Sequence, residues 1–427
     1  MKENETHLRA LEFAVLSPHS DFYRKKYGTG FEQLLLGPLS SFPFLTRAEI
    51  DRVPVLERAF VPRNMICFIR STSGSTGRGV VGFPMLEEPE LEAHRRALGF
   101  EIPKGRVRYF EPYMQALQIR SILMFSAGAF VHEPRLRIEE GRNFIAGEYA
   151  QPKVTAQLAK ETNIDCIVAN PSGLVEFAPY LKEQRDLIRL IISVGERPTE
   201  LQLETLKGQF KNAEIVLQYG LTETQGLVGY TCPERATFDP KALHPAAGSI
   251  YFELIDPDTE VSVSLVPGNE GEVVITTLEP LGFPLIRYRT GDFARIREGT
   301  CSCDGNPMLF ECMGRLALDR IRIPRGVLTI ASVESAVLAL PFPISEYEAK
   351  WNTDTEPPGL ELKLYVADAY MAEAEQVSSF AIAERLYVAP SVTYASLAEE
   401  KLVSEVSVEF LRQEAYTEGW KKKKRLS

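Results

Sequence analysis

The sequence predicts an α/β protein: a large N-terminal domain with doubly wound mixed sheets plus a β-rich subdomain, and a small α+β C-terminal domain. Three observations carry this. Between Asp165 and Gly220, apolar strand-like runs alternate with helical ones, the pattern of parallel strands joined by crossover helices. From Ser249 the texture changes to short β runs divided by Gly and Pro. After "GRLALDRIRI", strand and helix patterns mix again in a tail of different character. The expected divisions are an N-terminal domain over 1–316, its β-rich subdomain over about 230–315, and a C-terminal domain over 317–427, with the boundary near Leu316 to Arg320.

Taken in order, the first sixty residues join a helical pattern, "THLRALEFAVL", to short polar connections. "NMICFIR" (Asn64 to Arg70) and "GVVGFPM" (Gly79 to Met85) read as buried strands, so the segment between them is a hairpin loop. "EPYMQALQIRSILMFSAGAF" supplies Tyr113, Met114, Phe125 and Phe130, which either wall a pocket or fill the core. Next, "DCIVANPSGLVEFAPYL" gives a strand, a Pro-Ser-Gly turn and a helix. "LIRLIISVGE" with "RPTELQLETLKGQF" repeats strand then helix, and "AEIVLQYG" is a third strand. Ligands of such sheets sit beyond the carboxyl ends of the strands, where Gly195 and Gly220 fall. "SIYFELID", "GEVVITTL", "PLIRYRTGDFARI" and "PMLFECMG" are the β-rich runs. In the tail, "LELKLYV" and "VSVEFL" flank a helical "MAEAEQVSSFAIAERL".

Composition narrows the function classes. A chain of 427 residues is too long for one compact core. A net charge of −10 argues against a broad nucleic-acid surface. No apolar run reaches the roughly 20 residues of a membrane span, and the polar start "MKENETHLRALEF" lacks a signal core, so a cytoplasmic location is expected. Six cysteines in a chain of this size suggest metal binding rather than a disulfide framework.

"RSTSGSTGRGVV" (Arg70 to Val81) packs Ser71, Thr72, Ser73, Ser75 and Thr76 around Gly74, Gly77 and Gly79, with Arg78 at its exit. Hydroxyls and unobstructed backbone N–H groups are what holds a polyphosphate. A surface turn has a similar composition. The Lys-Ser/Thr ending and following helix of a Walker loop are missing, which disfavours a P-loop enzyme.

"STSGSTGRG", "SVGERPTE", "QYGLTET", "PLIRYRTGD" and "GR…DRIRI…RG" follow one another in this order. In that order the chain resembles the AMP-forming adenylating enzymes: acyl-CoA synthetases, luciferases and peptide-synthetase adenylation domains. It is most similar to their phenylacetate-CoA ligase branch, through "DFYRKKYG", "FPFLTRAEI", "GFPLIRYRTGD" and a Cys-x-Cys before the Gly-Arg. The resemblance implies that a carboxylate attacks the α-phosphate of ATP to give acyl-AMP and pyrophosphate. A carboxylate, with a pKa of about 4, is already ionised at pH 7 and needs no general base, in keeping with only five histidines and no Ser/His/Asp arrangement. Catalysis then consists of positioning and charge neutralisation.

Carried over residue by residue, the resemblance puts the loop Ser71 to Gly77 on the β- and γ-phosphates, and Gly195 and Glu196 on the adenine and acyl side. It puts the ring of Tyr219 on adenine, beside Gly220, and Thr222 against phosphate. Glu223 would bind Mg²⁺, a hard cation suited to carboxylate. Asp292 would accept from both ribose hydroxyls, with Arg315 near the ribose and phosphates. Taken singly, Tyr219 could be core, Asp292 a turn residue and Arg315 a surface ion pair. Cys232, His244, Cys301 and Cys303 form a ligand set for structural zinc, as in many members of the branch that look similar here, or are four unrelated residues with reduced thiols. Cys67, Cys166 and Cys312 sit in apolar runs and read as core.

The chain departs from the family pattern at two places. Leu316, Ala317 and Leu318 follow Arg315 where relatives have paired acids at the pivot of a rotating C-terminal domain, and Asp319 is the first acid. That puts thiol transfer in doubt more than adenylation. The family's C-terminal lysine lies after glycine; here "EGWKKKKRLS" offers Lys421 or Lys422 for the α-phosphate, against a solvated basic tail. The expected enzyme activates an apolar or aryl acid with ATP and passes it to a thiol, most simply CoA. The alternatives are a carrier-protein thiol or an amine as acceptor, and a nucleotide-binding protein without turnover. A homodimer is carried as an open expectation.

Overall fold

The computed structural model describes residues 2–71, 82–86, 88–98, 111–125, 142–224, 226–299, 301, 308–315, 320–342, 344–389 and 391–412. Its contacts divide the chain into two compact units. One comprises residues 1–170, 180–196 and 212–312; the other 171–179, 197–211 and 313–427.

In the first unit, the amphipathic helix Lys2–Leu16 precedes a buried aromatic cluster. Phe22, Tyr23, Phe60 and Phe283 pack ring to ring, with centroids 5.2–6.3 Å apart. The Tyr23 hydroxyl donates to the Pro284 carbonyl at 2.8 Å and accepts from Ile286 N–H at 3.1 Å. The "DFYRKKYG" segment thus anchors the stretch leading into "RYRTGD".

Strands β1 (Phe68–Ser71) and β2 (Gly82–Met85) pair antiparallel, with Ser71 opposite Gly82, so the hairpin expected around the Ser/Thr/Gly loop is present. The first strand begins later than its apolar run suggests. Arg63–Met65 form a 3₁₀ turn, and Cys67 lies exposed before the strand rather than in the core. Cys166 is buried as expected, whereas Cys312 is only half-buried.

Seven strands build the main sheet: β3 (Ser121–Met124), β4 (Asn143–Ala146), β5 (Cys166–Ala169), β6 (Leu190–Val194), β7 (Glu214–Leu221), β8 (Gly226–Tyr230) and β9 (His244–Pro245). The order is β4-β3-β5-β6-β7-β8-β9. The first five run parallel, while β8 and β9 add antiparallel. Strands β5 and β6 are buried at every residue, which is why they read as continuous Val/Ile/Leu runs. Pro171, Ser172 and Gly173 are not a separate turn. Proline with its fixed φ starts the helix Pro171–Phe177 directly after β5. The helix Glu200–Gln209 starts at a reciprocal Thr199/Gln202 capping box.

The β-rich part is a five-stranded sheet in the order β11-β10-β12-β13-β14. Its strands are β10 (Ile250–Ile255), β11 (Ser262–Val263), β12 (Glu270–Thr277), β13 (Tyr288–Arg297) and β14 (Leu309–Arg315). This sheet begins at Ile250; His244 pairs with Tyr230 in the main sheet.

The second unit is α+β. Strands β15 (Arg320–Ile323) and β16 (Gly326–Thr329) form a hairpin leading into the helix Ile330–Leu338, capped reciprocally by Thr329 and Ser332. Strands β17 (Ile344–Asn352) and β18 (Gly359–Val366) pair antiparallel, and β21 (Ser407–Arg412) joins β18 in parallel after the small pair β19 (Tyr387–Ala389) and β20 (Val392–Thr393). The expected single helix over "MAEAEQVSSFAIAERL" is two short ones, Met371–Ala374 and Ser379–Ala383, because Ser378 caps the second. Leu328, Val333, Leu362, Leu364 and Ile382 share one core with Leu201. Among the described residues, no helix is long and apolar enough to cross a membrane.

Candidate functional site

The carboxyl ends of the parallel strands carry a connected row of side chains. Phe125 follows β3 and stacks on Tyr149, beyond β4, with centroids 4.2 Å apart and planes 9° from parallel. The Tyr149 hydroxyl donates to Asn170 Oδ1 at 2.7 Å, just past β5. Asn170 Nδ2 in turn reaches Glu196 Oε1, past β6, at 3.4 Å. Gly195 makes the bend with φ +86°, a conformation that penalises a side chain. Of the proposed pocket residues, Tyr113 and Met114 are fully buried core, Phe125 is at this edge, and Phe130 lies outside the described residues. Tyr149 and Asn170 were not singled out from sequence. Their one signal was position directly after a strand.

Tyr219, near the end of β7, meets the β-rich sheet: its hydroxyl donates to Asp292 Oδ2 at 2.7 Å. Asp292 is almost fully buried, and Gly291 before it has φ +75°. Asp292 N–H donates to Thr290 Oγ1, which itself donates to the Val273 carbonyl at 2.8 Å, fixing the turn. Burial, reinforced by the Asp292 carboxylate, pushes the Tyr219 phenol well above its ordinary range, so it stays a donor at neutral pH. One Asp292 oxygen is thereby engaged by the phenol, although a carboxylate oxygen can accept more than one hydrogen bond. At Gly220 a Cβ would stand 2.9 Å from the Gly226 carbonyl oxygen, so the close β7–β8 approach requires glycine.

Thr222 is half-buried in the turn that follows, and the Thr224 hydroxyl, with one proton to donate, lies 2.9 Å from the Leu221 carbonyl and 2.8 Å from that of Gly226. Glu223 is 6% exposed. Its Oε1 accepts from the Tyr288 hydroxyl at 3.1 Å and lies 3.7 Å from Arg47 Nη1. Among the described residues both partners meet the same oxygen, Oε1. A carboxylate is a hard oxygen donor of the kind that fits Mg²⁺. Burial and then the Glu223 charge push the Tyr288 phenol well up, keeping it a donor as well.

Arg47 and Tyr288 were not read as site residues. Both lie in quoted motifs, "FPFLTRAEI" and "LIRYRTGD", but the two are far apart in sequence and meet only by folding. Leu45 bridges to Tyr288, its N–H donating to Arg287 O at 3.0 Å while Arg289 N–H donates back to Leu45 O at 2.9 Å.

Cys232, His244 and Cys301 come together, with ligand atoms within 4.8 Å of one another. Cys232 and His244 are buried and Cys301 half-buried; the two Sγ atoms stand 3.3 Å apart, and Glu234 Oε2 is 3.3 Å from Cys301 Sγ. Two thiols and an imidazole drawn together from three stretches of chain are three of the four ligands that a tetrahedral zinc site takes. Cys303 lies outside the described residues, as do Thr72 to Gly77, Lys421 and Lys422. Ser71 closes β1, and Arg315 closes β14.

No family model matches the chain. It is 27% identical over 387 residues to a phenylacetate-coenzyme A ligase of Aromatoleum evansii, covering 86% of this chain and 83% of that one. It is 24% identical over 359 residues to the phenylacetate-coenzyme A ligase of Thermus thermophilus, covering 80% and 75%. With the Escherichia coli enzyme of the same name it shares 26% over 301 residues, 68% of this chain but only 62% of that relative's length. Among solved structures, a 2-hydroxyisobutyryl-CoA ligase in the postadenylation state matches with TM-score 0.76 at 15% identity, covering all of this chain and 88% of that one. An acyl acid amido synthetase, AtGH3.15, matches with TM-score 0.65 at 15% identity, covering 97% and 87%.

Proposed function

We propose that this chain, similar in sequence to phenylacetate-coenzyme A ligases and sharing the fold of a CoA ligase, joins an organic acid to coenzyme A through an acyl-adenylate. The acid's carboxylate attacks the α-phosphate of ATP and releases pyrophosphate. The CoA thiol then attacks the acyl carbon, losing its proton, and AMP leaves. One observation carries this reading: the pairs Tyr219–Asp292 and Glu223–Tyr288 bring "QYGLTET" and "RYRTGD" together at the carboxyl edge of the parallel sheet.

The difficulty of the first step is bringing an anion to a polyanion, and the residues answer it by position and charge. Tyr219 and Asp292 hold the adenosine, Thr222 a phosphate. Glu223 would hold Mg²⁺, which would supply neutralisation of phosphate charge. The hairpin loop Ser71 to Gly77 holds the outer phosphates, and Gly195, Glu196 and Gly220 line the cleft between adenine and acyl group. The stacked Phe125–Tyr149 pair supports an aryl or apolar acid. Arg315 completes the ribose side, and Lys421 or Lys422 supplies positive charge to the α-phosphate from a C-terminal domain over 317–427. Cys232, His244 and Cys301, with Cys303, hold a structural zinc.

The experiment is pyrophosphate release with ATP, Mg²⁺ and a panel of aryl and aliphatic acids, followed by mass analysis of the product with CoA or a carrier protein as acceptor. Acid-dependent pyrophosphate and an acyl-CoA product are expected. Binding of ATP without acid-dependent release would reduce the chain to a nucleotide binder, and a product only with the carrier would replace CoA.

A further inference from the structure

The segment that carries Arg47 is held in place without help from Glu223. Thr46 and Glu49 cap the helix Arg47–Asp51 reciprocally. Leu45 pairs beside Tyr288, and Arg287 Nη1 donates to the carbonyls of Ser40 and Phe42, each at 2.9 Å. Backbone therefore delivers Arg47 to the carboxylate, and the same pairing delivers Tyr288 beside it.

Distance decides what kind of contact Arg47 makes. At 3.7 Å its Nη1 is too far from Oε1 for a hydrogen bond, yet close enough for strong attraction to a buried carboxylate. The tyrosine hydroxyl at 3.1 Å does the aiming. Elsewhere in the chain, Arg95 and Glu279 form a closed structural pair at 2.6 Å with both side chains almost fully buried. The Arg47–Glu223 pair is built differently: charge compensation without a locked hydrogen bond.

We infer that Arg47 is the resident counter-ion of Glu223, balancing the buried carboxylate while no divalent cation is bound and sharing it when Mg²⁺·ATP arrives. This rests on the reading of Glu223 as the Mg²⁺ carboxylate. A buried carboxylate left with no cation is costly, so the arginine stabilises the site before the metal binds. Once the metal is present, the arginine's charge opposes it across the same carboxylate and loosens its hold.

The test is titration of Mg²⁺ into ATP-saturated protein without acid, read by heat of binding and by melting midpoint. Arg47→Met should melt lower than wild type without Mg²⁺ and bind Mg²⁺ more tightly, on the order of tenfold. Mg²⁺ should raise its midpoint by more than it raises that of wild type. Arg47→Lys, which keeps the charge, should stay near wild type. If Arg47→Met does not fold, Arg47→Gln is measured in its place and must tighten in the same way. Unchanged Mg²⁺ affinity overturns the inference and leaves Arg47 a packing residue. Weaker affinity also overturns it and makes Arg47 a phosphate ligand. Glu223→Gln separates the two readings: if it binds Mg²⁺ as wild type does, the metal assignment itself falls, whereas its loss of Mg²⁺ dependence with an unchanged Arg47→Met defeats only the counter-ion role.

Discussion

At the scale of single residues, the site depends on where one carboxylate points. Glu223→Gln preserves shape and still accepts from Tyr288 through its amide oxygen, but it removes the charge. Losing one preorganised electrostatic contact typically costs on the order of 10²–10³ in rate. Pyrophosphate release should fall by that much; near-normal release would show that this carboxylate does not carry the metal. Tyr219, Glu223 and Asp292 stand out in the sequence through motifs that resemble a family's, and the fold brings those motifs together. Arg47 and Tyr288 do not stand out. A cation near a carboxylate is a property of two segments, and no periodicity in either segment records the other. Tyr149 and Asn170 were missed for a related reason, since their hydrogen bond joins two different strand ends.

At the scale of elements, the parallel strands were the most legible part, because burial on both faces leaves an uninterrupted apolar run. Strand β17, "ISEYEAKWN", escaped because Glu346, Glu348 and Lys350 alternate with Tyr347, Ala349 and Trp351. Glu348 and Lys350 are more exposed while Glu346 is itself buried, and the apolar residues alone are too sparse to stand out. The tail helix was overread because Ser378 offers the backbone a second start. The Cys232, His244 and Cys301 cluster ties the turn after β8 to β9 and to the segment beyond β13. If zinc closes it, protein purified without added metal should hold one zinc per chain by elemental analysis. Cys301→Ser or a strong chelator should then lower the melting midpoint rather than only slow turnover, since a closed site contributes folding energy. A metal-free protein of full stability would remove the zinc.

At the scale of the whole molecule, buried phenols set an alkaline limit. Burial pushes Tyr23, Tyr27, Tyr219 and Tyr288 above the ordinary tyrosine range, and Tyr394 up to about 12. The folded chain therefore keeps these protons at pH values where the unfolded chain releases them. Their contribution is fully present below pH about 10 and is lost as pH rises toward each folded value, at about 1.4 kcal/mol per pH unit for each group. Denaturant unfolding at pH 9, 10 and 11 should show stability falling steeply only above 10, and Tyr219→Phe should make that fall shallower; the same slope in both proteins would contradict it. The sequence shows a composition change near "GRLALDRIRI"; that residues 171–179 and 197–211 group with 313–427 is visible only in the contacts of the folded chain. The pairing of Leu45 with Tyr288 carries a consequence for biosynthesis. A chain emerging from the ribosome exposes Leu45 long before its partner strand exists, so this contact forms only after a very large loop closes. Until then Arg287 has not reached the Ser40 and Phe42 carbonyls, and Arg47 has no fixed address. Nascent chains shorter than about 290 residues can thus complete the parallel strands yet lack the cluster of Arg47, Glu223 and Tyr288, which should assemble only late in synthesis.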